Sequence, residues 1–223
     1  MNTKHLTLAF AILAILTGCK KKTDCPKEET TTTTSSGTTM TFQPGVTTGN
    51  DAVICSYTST TNFGINYPEI SGLAGTVSGN PSYLRGLFMF DLSNIPVSTT
   101  IKSAKLSLYG STDPLNGSTS MSGTNNACII VRITSAWEES VVTWNTQPSV
   151  TTTNQVSLPH NSVSSADDLD IDVTALVQDM VNNPTSSFGF ELKMVIEAAY
   201  YGKQYASSDY SDATKHPKLV VSY

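Results

Sequence analysis

Residues 104–109 read AKLSLY. Ala104, Leu106 and Leu108 alternate with Lys105, Ser107 and Tyr109. Successive side chains of a strand point to opposite faces, so this period of two predicts a strand with one face in a core and one in water. Outward from it the same grammar recurs. AVICSY (52–57), LRGLFMFDL (84–92), ACIIVRIT (127–134), VVTW (141–144), LDIDV (169–173), FGFELKMVI (188–196) and PKLVVSY (217–223) read as strands. LFMF (87–90) is apolar at every position and predicts a central strand covered on both faces. Turn signals, such as NG at 116–117 and NNP at 182–184, separate the segments.

One segment departs from this period. In DVTALVQDMVNN, Val173, Leu176, Val177, Met180 and Val181 recur at helical spacing. Asp172 or Thr174 can cap its start, and NNP ends it. A single short helix among many strands fits the end of a β-sandwich. The chain has 223 residues, 39% of them hydrophobic, with 14 glycines. That length and composition suit one all-β domain with a core of ordinary size.

The charge balance narrows the partners. The formal net charge is -5, and residues 41–223 hold eight Lys/Arg against fifteen Asp/Glu. Those bases form no run or stripe. Nucleic acid is excluded as an expected partner, because its binding rests on phosphate neutralisation.

The first forty residues follow other rules. MNTKH is a short basic start, LTLAFAILAI is an apolar run too short to span a bilayer, and LTGC ends it. LTGC resembles the bacterial lipobox, which implies cleavage before Cys19 and lipid on that cysteine. KKKTDCPKEETTTTTSSGTT follows, rich in threonine, serine and charge and without apolar periodicity. Such a segment cannot bury enough surface to order itself. The expected organisation is a lipoprotein signal peptide over 1–18, a flexible tether over 19–40 and a folded domain over 41–223. The expected place is the cell envelope, periplasmic or surface-exposed, held to a bacterial membrane by the lipid anchor.

Four phrases occur in order: NFG (62–64); RGLFMFDLSNIP with IKSAKLSLY (85–109); VRITSAWEESVVTWNTQPS (131–149); and DVTALVQDMVNN followed by GFELK and HPKLVVSY. Together they resemble the DNRLRE, or disaggregatase-related, domain, which is similar to carbohydrate-binding module family 96. The resemblance covers about residues 48–223. It implies a jelly-roll-like β-sandwich on envelope proteins, with polysaccharide as the ligand of some members. Members often carry an aromatic in the helix where this chain has Met180, so that position is not read as a ligand contact.

The candidate site residues are each open to two readings. Trp137 and Trp144 offer flat apolar faces to a sugar ring. Yet VVTW alternates so that Val142 and Trp144 share an inward strand face, and Trp137 stands where a strand turns into a loop. The balance favours core or loop-anchoring roles for both, with Trp137 the possible ligand contact. Glu138 and Glu139 are neighbours and project apart, so they do not flank one glycosidic bond, which needs two convergent carboxylates.

Asp168, Asp170 and Asp172 fall on one face if the period of two holds. Three carboxylates in a row suit a structural calcium ion or, more plainly, a solvated edge strand. AAYYGKQYASSDYSD (198–212) is the densest polar-aromatic run. Tyr200, Tyr201 and Tyr205 suit sugar recognition, or cross-strand pairing within the fold. Cys55 and Cys128 lie in expected strands and are either a disulfide or buried free thiols. His160 and His216 lie far apart, and no H-E-x-x-H, G-x-S-x-G, phosphate-cradling glycine loop or C-x-x-C occurs.

The sequence therefore reads as a non-catalytic, membrane-tethered module that binds polysaccharide. The alternative is a structural or adhesive module with a protein partner or no small ligand.

Overall fold

The computed structural model describes residues 37–112, 121–122, 125–163, 165–198 and 200–223. The signal segment, Cys19, Cys25 and the NG turn lie outside them. Twelve strands form: β1 (Thr39–Phe42), β2 (Asp51–Cys55), β3 (Glu69–Val77), β4 (Asn80–Phe88), β5 (Ser103–Leu108), β6 (Met121–Ser122), β7 (Cys128–Ile133), β8 (Val150–Leu158), β9 (Asp168–Asp172), β10 (Phe190–Met194), β11 (Tyr201–Ala206) and β12 (Lys218–Ser222). Among the described residues one α-helix, α1, spans Thr174–Asn182.

The strands make two antiparallel sheets. The smaller has the order β1-β12-β5-β9, and the larger runs β6-β11-β3-β4-β10-β7-β8, with β2 paired to β4. The all-β sandwich expected from the sequence is the fold. AKLSLY lies in β5 as expected: Ala104, Leu106 and Leu108 have no exposed surface. They meet Leu219 and Val221 of β12, Phe88, Ile130, Phe190 and Leu192 of the larger sheet, and Leu176, Val177, Met180 and Val181 of α1 in one core. Met180 is thus a core residue. Val173, not Asp172 or Thr174, holds the cap position of the helix, and Asp172 Oδ1 accepts from the Thr174 N–H at 3.0 Å just before it.

A second, smaller core lies apart. Ala52, Ile54, Leu87, Ile133 and Val142 form it, and Trp137, Trp144, Val150 and Phe188 pack against it. LFMF explains both: Leu87 joins the small core while Phe88 joins the main one. The inner-strand reading holds for Leu87 and Phe88, since β4 lies between β3 and β10; the strand ends there, and Met89 and Phe90 follow it.

β3, β6, β8 and β11 are not among the expected strands, and three further features differ from expectation. VVTW is not a strand; Trp144–Thr146 form a 3-10 turn instead. Its alternation comes from a loop that folds Val142 and Trp144 onto the sheet. Thr39 and Met40 belong to β1, which pairs with β12 through Thr39↔Ser222 and Met40↔Val221, so the fold starts before residue 41. Finally, β9 carries a bulge. Leu106 pairs with Ile171 but Leu108 with Asp168, so two steps on β5 face three on β9. Asp170 takes the extra place at φ 52°, a conformation that Asp tolerates better than most residues.

Candidate functional site

The bulge changes the acidic strand. Asp168 turns inward and Asp172 outward. Lys203 Nζ donates to Asp168 Oδ2 at 2.8 Å, and the Tyr205 hydroxyl donates to the same oxygen. Lys203 and Tyr205 have no exposed surface. Burial, followed by the nearby Asp168 charge, holds the Tyr205 hydroxyl well above the ordinary tyrosine range. Asp172 instead accepts from Lys105 Nζ at 2.9 Å. Asp168, Asp170 and Asp172 therefore do not converge, and the calcium reading of this strand is corrected.

The tyrosine run also divides. Tyr205 is a core residue whose hydroxyl is spent on Asp168, so a ligand outside the fold cannot reach it. Tyr201 is half-buried against the main core. Tyr200 is 69% exposed. Its φ of 65° is left-handed, which a bulky side chain rarely adopts. Its hydroxyl meets Thr76 Oγ1 at 3.0 Å.

The loop before it is fixed from below. Arg85 Nε and Nη2 donate to the two oxygens of Glu197 at 2.8 and 3.0 Å. Arg85 Nη1 donates to Gln147 Oε1 at 2.9 Å, and its guanidinium stands 4.6 Å over the Trp144 ring. Val195 and Ile196 are 55% and 56% exposed beside this cluster. Trp144 is therefore half-buried, with the small core below it and a cation over its ring. Trp137 Nε1 donates to Phe188 O at 2.8 Å, and its ring lines a pocket of about 270 Å³ with Glu138 and Val141. It anchors the loop and keeps an exposed edge.

Cys55 and Cys128 are free. Cys128 is buried against Gly72 O, Asn126 O and Met194 Sδ, while Cys55 Sγ lies 3.6 Å from Ser82 Oγ. Each thiol has its own neighbours, and the disulfide reading is corrected. His160 is held by Asn126 at 2.8 Å, and His216 sits between Pro44 O and Tyr210 O at 3.1 and 2.9 Å. Both serve loop packing.

A second polar cluster forms from three distant segments. Asp51 opens β2, Glu139 sits in the tryptophan loop, and Asp209 follows β11; one carboxylate oxygen of each lies within 4.8 Å of the others. Asp51 is 3% exposed. Its Oδ2 accepts from Ser208 N at 3.0 Å and from Ser208 Oγ at 2.5 Å. Burial is the main cause that pushes Asp51 up to about 6, offset by the Ser208 bonds and helped by Asp209. Burial, followed by the charges of Asp51 and Asp209, pushes Glu139 up to about 7.

The phrase NFG finds its purpose here. Asn62 Nδ2 donates to Glu139 O and Val142 O, both at 2.7 Å. A Cβ on Gly64 would stand 2.1 Å from Glu139 O, so only glycine lets the two loops meet. Sequence reading missed Asp51, Arg85 and Glu197, and took Asp209 only as a polar member of the run at 198–212. No local spacing links them, since the sheet alone brings them together. The one available signal was that NFG and AWEES belong to the same family pattern.

Among the described residues no helix is long and apolar enough to cross a membrane. Comparison with curated proteins gives no match. Residues 39–223, well over half of the chain, match carbohydrate-binding module family 96, and the chain belongs to that family.

Proposed function

We propose that this protein is a non-catalytic, membrane-tethered lipoprotein that binds polysaccharide through the surface around Tyr200. The observation that carries the site is the conformation of that residue: an aromatic ring, 69% exposed, in a left-handed backbone state and tied by its hydroxyl to Thr76. Strain of this kind persists only where neighbours over-determine it, and it gathers at ligand sites. Here Glu197, three residues earlier, is locked by Arg85. A ring held ready loses little freedom when a sugar stacks on it. Arg85, Gln147 and Glu197 add polar groups suited to sugar hydroxyls.

The tether rests on LTGC and Cys19, and envelope location follows from it. The reading as non-catalytic is supported by the match to a carbohydrate-binding module family. A second reading, an adhesive module with a protein partner, is favoured by exposed Val195 and Ile196 in the same loop. Polysaccharide affinity gels run with the purified full-length chain separate the two. Retardation by a defined glucan, mannan or alginate gel supports sugar binding. Migration unaltered by every gel, with capture by a protein surface, supports adhesion.

A further inference from the structure

Lys203 and Asp168 reach across the sandwich. Lys203 lies on β11 of the larger sheet and Asp168 on β9, at the edge of the smaller one. Nζ stands 2.8 Å from Oδ2. The Lys203 side chain is fully covered, while that of Asp168 keeps 18% of its surface. Their neighbours in register offer no polar side chain: Leu108, opposite Asp168, is fully buried, and Gly72 stands opposite Lys203.

As an ion pair this arrangement is poor. An ammonium has three N–H donors, yet among the described residues Asp168 is the one hydrogen-bond partner of Lys203 Nζ. Two donors of a buried cation stay unmet, and a buried charge repays its desolvation only when its remaining protons are also satisfied. As a reacting pair it is good. An amine and a carboxyl held in contact react as one molecule, with orientation and desolvation supplied by the fold. A third group is in place. The Tyr205 hydroxyl donates to Oδ2. Burial, followed by the Asp168 charge, holds that hydroxyl well above the ordinary tyrosine range, so it stays a proton donor. When an amine adds to Cγ, negative charge collects on oxygen, and a fixed donor at that oxygen stabilises it.

We propose that Lys203 and Asp168 condense to an intramolecular amide that joins β11 to β9. Nζ attacks Cγ. Oδ2 takes the developing charge against the Tyr205 hydroxyl and remains as the amide carbonyl. Two protons pass from Nζ to Oδ1. The Nζ–Cγ bond forms, the Cγ–Oδ1 bond breaks, and water leaves by the open side of Asp168. An ammonium and a carboxylate become one neutral amide and one water, so atoms and charge balance without an oxidant or co-reactant. The product removes two covered charges and leaves one N–H where there were three. It also holds the two sheets together when the domain is pulled or unfolded.

The test is tryptic peptide mapping by mass spectrometry on the purified full-length chain, after prolonged storage in the folded state. Wild type should give a branched peptide that joins the Asp168 and Lys203 segments. It should be lighter by one water than the two segments together, with no cut after Lys203. K203R keeps a cation but has no primary amine, and should give linear peptides only. Y205F should build the branched peptide more slowly than wild type. The proposal is overturned if wild type yields only linear peptides, cut after Lys203. It is equally overturned if the missing water belongs to the Asp168 peptide alone, which marks a succinimide. Y205F that condenses as fast as wild type overturns the part given to Tyr205. No readout involves sugar, so failure here leaves the Tyr200 reading standing, and the reverse.

Discussion

Glu197 receives both forks of Arg85, at 2.8 and 3.0 Å, across the outer face of the larger sheet. The pair is only 20% and 24% exposed at its side chains, and the guanidinium also covers Trp144. A lysine can supply the charge but neither the planar fork nor the stacked face. R85K is therefore expected to lower Tm by about 2 to 4 °C, or ~1 kcal/mol, and to weaken polysaccharide binding by loosening the loop that carries Tyr200. Melting curves and gel retardation on the same variant check both parts.

Tyr205 and Tyr200 should respond in opposite ways. Y205F keeps the buried ring but removes the hydroxyl from Asp168, leaving a covered carboxylate one donor short. A cost of about 1–3 kcal/mol is expected in denaturant unfolding, with affinity for polysaccharide unchanged in the folded protein.

The indole of Trp137 fills a space and satisfies Phe188 O at 2.8 Å. W137F fills most of that space and loses the donor. It should unfold about 1–3 kcal/mol more easily, as measured by denaturant titration. Affinity lost in step with stability would mark the ring as an anchor. Affinity lost without a stability change would make Trp137 a ligand contact.

Asp172 supplies a pH dependence. The Thr174 hydrogen bond and then the Lys105 ammonium hold its carboxyl well below the usual carboxylate range. A depressed folded value means that its stabilisation is present above the unfolded value, ~3.9, and fades as pH falls toward the folded one. Wild type should melt above D172N at pH 6, and the gap should close between pH 4 and pH 2. Asp172 is largely exposed, so the gap will be small.

The thiols give a covalent test. Cys55 and Cys128 are free and held by separate neighbours. Alkylation after unfolding without reductant should label both, as mapped by peptide mass, and reductant should leave Tm unaltered.

What the sequence made legible follows from local physics. Alternation found β5, and the burial of β12 alternates in the same way; β7 and β10 were legible as apolar runs, and both are covered on much of both faces, with Val131 and Glu191 buried. Helical spacing found α1 through its one buried face. β8 escaped because VTTTNQ (150–155) has almost no apolar pattern; its residues are mostly exposed at an edge. VVTW misled because a loop folded onto a small core can imitate a strand's alternation. The aspartate stripe failed at one residue, the bulge at Asp170, which rotates Asp168 into the core. For the site, the run at 198–212 did contain an exposed aromatic, Tyr200, but nothing in spacing could say that Tyr205 was inside. Asp51, Glu139 and Asp209 meet only through the sheet, so no window of sequence could show them together.

The central claim is that a strained, exposed Tyr200 recognises polysaccharide. The most direct measurement is the affinity of full-length Y200A for the gel polysaccharide that retards wild type, with Tm taken on the same sample. The account predicts about tenfold weaker binding, ~1.4 kcal/mol, with Tm nearly unchanged, because the ring is exposed and alanine keeps the Cβ on which the left-handed strain depends. Undiminished affinity with an unaltered Tm would contradict it.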